Sequence, residues 1–326
     1  MTLLEVTNLS IGYRIHGGLV KAVDSVSFSL DRGKTLGFVG QSGCSKTTIG
    51  MSLLRLLPEN ASVLSGKILF EGQDILSLSD KSLRAIRWKK IAMIFQAAMN
   101  ALNPVQRVNE QVAEALLLHD TGLSKEAALS TTAELFNSVG IPENRHCDYP
   151  HQYSGGMKQR AIIAMGLSCQ PLLLIADEPT TALDVIVQDQ ILKEIRKVQE
   201  QMQIAMIFIS HDISVVADVC HDIAVMYGGK IIEIGSRKEI LETPAHPYTQ
   251  MLLASNLTLA DHYASIPLAF EQNTDDKKQM TAEEYSGQCP FFQRCNEDTG
   301  QCHTTPLEWA TLSSSHRVFC YRKEKG

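Results

Sequence analysis

The chain has 326 residues, and its 44% hydrophobic and 20% charged residues are ordinary for a globular protein, which excludes disordered and collagen-like classes. The formal net charge of -6 argues against broad nucleic-acid binding, because that function needs a basic surface. The sequence holds no apolar run near the ~20 residues of a membrane-spanning helix, and no signal-peptide core. We therefore expect a cytosolic chain that would need a separate membrane partner for any role at a membrane.

The first part of the chain predicts β structure followed by a phosphate-binding turn. Apolar residues alternate over residues 3–13 and 22–30, as in strands with one buried face. Residues 35–40 predict a short buried strand, a Gly- and Ser-rich turn follows, and residues 46–57 have helical spacing. Strand, glycine-containing loop and helix in this order are the context that a phosphate-binding loop requires.

Strands and helices alternate through the rest of the core, which predicts an α/β fold. The apolar patterns predict further strands at residues 65–75, 90–96, 171–176 and 204–210, and a hairpin around Gly228–Gly229 that joins residues 223–227 to residues 230–234. Helical spacing predicts helices at residues 110–119, 124–139 and 185–202.

Composition divides the chain into three predicted parts. A core domain covers residues 1–254 and carries an inserted helical subdomain at about residues 97–170. Residues 255–286 are polar and lack sustained periodicity, which indicates a linker. Residues 287–326 then form a cysteine-rich C-terminal domain.

The predicted turn after the third strand carries the residue types of a phosphate-binding loop. Its residues are Gly40, Gln41, Ser42, Gly43, Cys44, Ser45, Lys46, Thr47 and Thr48. Backbone amides at a helix N-terminus attract phosphate, Lys46 would reach the β- and γ-phosphates, and the Thr47 hydroxyl would bind Mg²⁺. Ser45 replaces the last glycine of the usual pattern, a position that often needs a backbone conformation costly for a residue with a Cβ. The alternative is a Ser- and Gly-rich turn with a chance lysine.

A second segment places two acids directly after an apolar strand. Asp177 and Glu178 would lie at the carboxyl edge of the sheet, where ligands of open α/β sheets bind. Asp177 would hold Mg²⁺ through water, and Glu178 would act as general base towards the attacking water. Acids also follow buried strands as solvated loop residues, which is the alternative for each taken alone.

A third segment predicts a second anion site at a helix N-terminus. Ser154 is a good helix cap, and Gly155 and Gly156 leave the first backbone amides open. The alternative is an ordinary capped helix with two glycines in its entry turn.

Taken in order, these segments resemble the ATP-binding subunits of ABC transporters, over about residues 3–253. The resemblance implies a P-loop ABC ATPase core of α/β class with an N-terminal antiparallel β subdomain, an inserted α-helical subdomain and a small Cys-rich C-terminal extension. It implies ATP and Mg²⁺ as ligands, with Lys46 in the Walker A loop and Asp177 and Glu178 in Walker B. Residues 154–156 match the ABC signature, which would bind the ATP held by a second cassette.

The same resemblance implies roles for four isolated residues. Gln96 matches the Q-loop glutamine near Mg²⁺, Asp184 lies in the D-loop, and His211 is the switch histidine that supports catalysis with Glu178. Tyr13 lies where the family places an aromatic ring that stacks on adenine. The alternatives are a helix cap for His211, a surface position at a strand end for Gln96, and simple packing for Tyr13.

Three further segments resemble the dipeptide, oligopeptide and nickel importer subfamily: residues 99–104, 149–152 and 244–249. Ala97-Ala98 replaces the Asp-Pro that usually follows the Q-loop glutamine. This resemblance implies a heterodimer with a second ABC ATPase subunit, two membrane permease subunits and an extracytoplasmic substrate-binding protein. The chain would then be a peripheral protein on the cytoplasmic face of the membrane.

Four of the eight cysteines crowd into the end of the chain: Cys289, Cys295, Cys302 and Cys320. Four thiolates suit an iron–sulfur cluster or tetrahedral Zn²⁺, and a reducing cytosol disfavours disulfides. The resemblance implies a [4Fe–4S] cluster, and the spacings are wider than those of common zinc fingers. Zn²⁺ and unligated or partly oxidised cysteines are the alternatives.

Two other functions fit part of the pattern. One is a soluble, non-transport ABC ATPase of DNA repair or translation. The other is a partly degenerate regulatory or structural subunit, in which Ser45 weakens the chain's own Walker A site while its signature serves the partner.

Overall fold

The structure is a computed structural model that describes residues 1–96, 101–120, 122–181, 183–255, 288–297, 300, 302 and 307–321. In these ranges the strands are β1 (Thr2–Ile15), β2 (Gly18–Asp31), β3 (Thr35–Val39), β4 (Ala61–Phe70), β5 (Gln73–Asp74), β6 (Ile91–Ile94), β7 (Leu173–Asp177), β8 (Ala205–Ser210), β9 (Asp222–Tyr227), β10 (Lys230–Ser236), β11 (Ala310–Thr311) and β12 (Arg317–Val318). The α-helices in the same ranges are α1 (Lys46–Ser52), α2 (Asp80–Ile86), α3 (Val108–His119), α4 (Lys125–Ser138), α5 (Gly155–Leu167), α6 (Val185–Met202), α7 (Ile213–Val219), α8 (Arg237–Glu242) and α9 (Pro247–Ala254).

Some predictions fall on parts of the chain that the structure leaves undescribed. The predicted linker, residues 255–286, lies outside the described residues except for Ser255, the C-cap of α9. Residues 99 and 100 of the importer-like segment 99–104 also lie outside them, as do Ala97 and Ala98, which replace the usual Asp-Pro. Within the described ranges, no helix is both long enough and apolar enough to cross a membrane.

The chain divides into two compact units. The first unit comprises Met1, Asp31–Thr35 and Ser77–Phe208. The second comprises Thr2–Leu30, Leu36–Leu76 and the chain from Ile209 onwards.

The second unit contains a four-stranded sheet in the order β2-β1-β4-β5. β1 pairs antiparallel with β4, with a register shift just after Thr7. Gly66 lies opposite this irregularity with φ +101°, and a Cβ there would lie 2.6 Å from the carbonyl oxygen of Asn8. The single strand predicted at residues 65–75 is in fact two strands, because Glu71 and Gly72 have φ values of 50° and 77° and turn the chain into a tight hairpin.

The other strands of the second unit run in the order β11-β12-β10-β9-β3. β3 pairs parallel with β9, and all five of its residues are buried, which accounts for its apolar sequence. The predicted hairpin at Gly228–Gly229 is confirmed by the antiparallel pairing of β9 with β10. β12 pairs antiparallel with β10, so the described part of the C-terminal segment adds strands to this sheet.

The first unit combines parallel strands with packed helices. β6 pairs parallel with β7, and α3, α4 and α5 pack against one another. Arg160 on α5 donates a hydrogen bond of 2.6 Å to the carbonyl oxygen of Val139 and forms an ion pair with Glu194 on α6. This side chain therefore ties the end of α4 to two other helices.

The helices differ from the predictions in two ways: α1 is shorter than predicted, and four short helices were not predicted. α1 ends at Ser52 rather than near residue 57, because Arg55 has φ 50° and the N–H of Leu56 donates to the carbonyl oxygen of Met51 at 2.9 Å, a helix-ending Schellman motif. The patterns also did not predict α2, α7, α8 and α9. These helices have only six to eight residues, too few for a helical period to stand out.

Candidate functional site

The phosphate-loop segment of the second unit has the predicted strand–loop–helix form, between β3 and α1. Lys46 is buried, and its Nζ donates to the carbonyl oxygens of Gly40 at 2.7 Å and Gln41 at 3.2 Å. The ammonium therefore lies inside the curve of the loop. A positive charge surrounded by backbone groups at a helix N-terminus is an arrangement that binds phosphate.

Gly40 at the start of the loop can only be glycine. Its φ is +155°, and a Cβ at this position would lie 2.2 Å from the carbonyl oxygen of Met226 in β9. The loop therefore leaves β3 in direct contact with the neighbouring strand.

Ser45 has a backbone conformation that favours glycine. Its φ and ψ are 73° and 24°, in the left-handed region, and its side chain makes no capping hydrogen bond to α1. For a residue with a Cβ this conformation costs about 1 kcal/mol. The loop thus keeps the conformation of the usual glycine and carries a serine in it.

We expect Ser45→Gly to raise the free energy of unfolding by up to about 1 kcal/mol, because glycine adopts φ above zero without a Cβ clash. Urea unfolding would measure this, and ATP titration and turnover of the assembled complex would show any gain in affinity or rate. Ser42→Gly is the matched control, since Ser42 is not among the positive-φ residues. Glycine there should destabilise slightly. Equal stability changes in both variants would contradict strain at Ser45, and no gain in ATP affinity or turnover for Ser45→Gly would contradict a weakened loop.

Tyr13 and Thr48 bring the N-terminal sheet to the phosphate-loop helix. The Tyr13 hydroxyl and Thr48 Oγ1 share a hydrogen bond of 3.1 Å, and the Tyr13 ring is half-buried. Thr47 is half-buried in the first turn of α1. Both residues thus lie beside the phosphate loop. Adenine stacking by Tyr13 and Mg²⁺ binding by Thr47 remain predictions.

In the first unit, the predicted glutamine and acids meet at one sheet edge. β6 and β7 are parallel, so Gln96, Asp177 and Glu178 lie at their carboxyl ends. Gln96 Nε2 and Thr181 Oγ1 each donate to Glu178 Oε2 at 3.0 Å. Asp177 is buried, with 1% of its surface exposed.

Glu178 also has an unusual backbone. Its φ is 47°, a left-handed value for a residue that is not glycine. Local strain of this kind is typical of functional positions, where the surrounding structure fixes a side chain in place. Here the two hydrogen bonds to Oε2 fix the carboxylate.

The predicted signature and D-loop residues, both in the first unit, are also adjacent. Ser154 caps α5, as predicted, by accepting from the N–H of Met157 at 3.3 Å, and Ser154 and Gly155 are exposed. Asp184 caps α6 by accepting from the N–H of Val187 at 2.9 Å. A Cβ on Gly156 would lie 2.7 Å from Val187 Cγ1, so the starts of the two helices are in contact.

His211 follows β8 directly and is exposed. The next helix, α7, is capped by Asp212, whose Oδ1 accepts from the N–H of Ser214 at 2.9 Å. A helix cap is therefore not the role of His211.

The four C-terminal cysteines line one small cavity in the second unit. Its volume is about 10 Å³, near the room needed by one water molecule. Its lining includes Cys289, Cys295, Cys302, Cys320 and His246. In the described ranges, no three His, Cys, Asp or Glu side chains are arranged to hold a metal ion. The four thiols are the residue types that bind a thiolate-held metal centre, whereas their spacing in the described ranges does not form one, and the cluster itself remains a prediction.

Burial, together with the neighbouring cysteines, raises the pKa of the Cys289 thiol to about 12 and that of Cys295 to about 11. The thiols therefore carry their protons at neutral pH. A metal centre would have to displace these protons, since thiolates are the ligands.

The sequence patterns missed a group of residues behind the phosphate loop. The Tyr248 hydroxyl accepts from the N–H of Gln41 at 2.9 Å, and Arg294 Nη1 donates to Gln41 Oε1 at 3.4 Å. Glu233 is fully buried and accepts from the N–H groups of Ala245 and His246 at 2.7 and 2.9 Å. The available signal was the subfamily-like segment at residues 244–249, which gave no role for any single residue.

Comparison with known protein families gives two matches along the chain. Residues 23–181 match the ABC transporter family. Residues 232–302 match the family described as "Oligopeptide/dipeptide transporter, C-terminal region".

Individual relatives agree with these matches. The chain is 43% identical over 325 residues to the dipeptide transport ATP-binding protein DppD of Bacillus subtilis (strain 168), which covers 99% of this chain and 95% of the relative. It is 48% identical over 260 residues to the oligopeptide transport ATP-binding protein OppD of the same organism, covering 79% and 72%. Among solved structures, a dimeric ATP-binding cassette in a post-hydrolysis state with ADP and phosphate is 25% identical, with a TM-score of 0.65 and coverage of 72% and 98%.

Proposed function

This chain belongs to the ABC transporter family of ATPases, and we propose that it hydrolyses ATP to drive peptide import through separate membrane subunits. The match of residues 232–302 to the C-terminal region of oligopeptide and dipeptide transporters is the observation that carries the peptide assignment. The two relatives described above are named for dipeptides and oligopeptides. Nickel or other metal chelates are the second substrate class that the sequence resemblance implied.

The proposed nucleotide contacts follow from the loop geometry. Lys46 binds the β- and γ-phosphates, because its ammonium already lies among the backbone groups of the loop. Within the second unit, Thr47 is a proposed Mg²⁺ ligand and Tyr13 is the proposed adenine contact. Asp177, in the first unit, is proposed to bind Mg²⁺ on the family pattern alone. Magnesium prefers such hydroxyl and carboxylate oxygens.

Glu178 is the proposed general base for hydrolysis. Gln96 and Thr181 both donate to its Oε2, which holds the carboxylate in place at the end of β7, where the family pattern has the group that accepts a proton from water. Gln96 and His211 are proposed to assist, as their places in the family pattern imply.

The signature and the start of α6 are the proposed contacts with a second ATPase subunit. Ser154 and Gly155 are exposed, and Val185 and Ile186 expose 82% and 73% of their surface. Large exposed apolar residues beside an open helix N-terminus suit a partner that presents ATP to it. We propose a heterodimer on the cytoplasmic face of the membrane, bound to two permease subunits and served by a substrate-binding protein.

Uptake of labelled peptide tests the transport assignment. Cells lacking the gene for this chain should lose uptake of di- or oligopeptides and regain it when the native chain is expressed. A control with nickel uptake separates the two substrate classes. Peptide uptake that does not depend on the chain would contradict the proposal, and so would rescue of nickel uptake alone.

We further propose that Cys289, Cys295, Cys302 and Cys320 bind a structural metal centre, a [4Fe–4S] cluster with Zn²⁺ as the alternative. The cavity that they share supports this. If the centre is a [4Fe–4S] cluster, anaerobically purified protein should contain iron and sulfide and absorb visible light. If the centre is Zn²⁺, the protein should contain zinc and be colourless.

The matched variants for this test are Cys289→Ser and Cys147→Ser, since Cys147 is exposed in the first unit. Metal content per chain should fall in the first and stay unchanged in the second. Equal metal content in both, or none in the native chain, would contradict a metal centre at these cysteines.

A further inference from the structure

An aromatic cluster stands between the phosphate loop and the cysteine cavity, within the second unit. Phe291, two residues after Cys289, is fully buried. Its ring centre lies 5.2 Å from that of Tyr227 and 5.3 Å from that of Tyr248. The rings of Tyr227 and Tyr248 are themselves 4.8 Å apart. The chain segment that carries the first cysteine is therefore packed on Tyr248.

Tyr248 is joined to the phosphate loop by its hydroxyl. The N–H of Gln41, the second residue of the loop, donates to Tyr248 Oη at 2.9 Å. Burial raises the pKa of Tyr248, so the hydroxyl stays neutral and accepts this hydrogen bond. Arg294, next to Cys295, adds a second contact by donating to the Gln41 side chain.

Tyr248 is joined to the cysteine cavity by His246. The N–H of Tyr248 donates to His246 Nδ1 at 3.0 Å, which places the ring proton of the neutral imidazole on Nε2. Nε2 faces Cys289 Sγ at 3.7 Å.

These contacts form one continuous path from Cys289 through His246 and Tyr248 to Gln41. An N–H aimed at a metal-binding sulfur stabilises the thiolate more than the thiol, so metal binding acts on His246 directly. The carbonyl oxygen of the same Gln41 accepts from Lys46 Nζ at 3.2 Å, so a shift of Gln41 moves a group that holds the ammonium.

We propose that Tyr248 is a positioning residue for the phosphate loop, and that through it metal binding at the four cysteines increases the affinity for ATP. The second half rests on the proposed metal centre. Because such coupling is reciprocal, ATP must increase the affinity of the cysteines for metal by the same factor.

The test compares ATP dissociation constants of the full-length chain, metal-loaded and chelated, by calorimetry at fixed Mg²⁺. Loading should tighten ATP binding about fivefold, the low end of usual allosteric coupling. Tyr248→Phe removes the acceptor for Gln41 N–H and keeps the ring, so it should weaken ATP binding by about three- to tenfold and abolish the effect of loading. Tyr227→Phe is the matched control, because its ring belongs to the same cluster, and it should preserve both.

Each outcome decides the matter. Unchanged ATP affinity in Tyr248→Phe overturns the positioning role, and a loading effect that persists in this variant overturns the path. A native chain that binds metal with no effect on ATP affinity refutes the coupling alone. If the native chain binds no metal, the four-cysteine centre and the coupling are both wrong. The ATP affinity of Tyr248→Phe still tests the positioning role in that case.

Discussion

Replacing Glu178 with glutamine should lower the ATP turnover of the assembled transporter by about 100- to 10,000-fold, the usual contribution of a general base. The structure makes this a clean substitution. Gln96 Nε2 and Thr181 Oγ1 donate to one carboxylate oxygen, and the glutamine carbonyl can accept both hydrogen bonds in its place. These two hydrogen bonds should therefore survive, so that ATP still binds while the proton-accepting carboxylate is lost.

Phosphate release and ATP binding, measured on the same preparation, check this expectation. Glu200→Gln is the matched control, since it removes the same charge from an exposed position on α6, where Glu200 pairs with Arg196. Turnover should be unchanged in the control. A loss smaller than about tenfold in Glu178→Gln would mean that another group accepts the proton.

Replacing Lys46 with alanine should weaken ATP binding by about 10- to 100-fold, the value of a hydrogen bond to a charged group. The loop should remain folded, because Gly40 keeps its contact with β9, and because the loss of Lys46 leaves two carbonyl oxygens and the weakly accepting Cys44 Sγ, which water can also satisfy. Calorimetric titration with ATP measures the loss. Urea unfolding of the same variant shows whether the fold is retained.

Lys193→Ala provides the control for loss of positive charge. Its side chain is 74% exposed and pairs with Asp189 on the same helix. ATP affinity should be unaffected there. Full ATP affinity in Lys46→Ala would contradict the assignment of this loop as the phosphate-binding element.

Local patterns in the sequence predicted the parts of the site that local physics determines. Ser154 and Asp184 cap their helices because short polar side chains satisfy the first free N–H groups. The apolar strand before Asp177 placed both acids at the edge of the sheet. The departure from the usual loop pattern at Ser45 also pointed to the left-handed backbone that the structure has.

What the sequence could not predict depends on contacts between distant parts of the chain. The hydrogen bond from Gln41 to Tyr248 joins residues 207 positions apart, and no periodicity reports such a pair. The end of α1 was predicted too late because Arg55, not glycine, adopts the left-handed conformation that ends it. The pairing of β12 with β10 involves strands of two residues, too short for an alternation pattern.

The contact between Gly156 and Val187 restricts how this protein can change over evolutionary time. A methyl group at position 156 would lie 2.7 Å from Val187 Cγ1, so alanine there requires the valine to move or to be replaced by a smaller residue. Positions 156 and 187 belong to different motifs, so the dependence of one residue on the other is not visible when either motif is considered alone. We expect them to vary as a pair in any lineage that relaxes the double glycine, with the valine lost before or with the glycine.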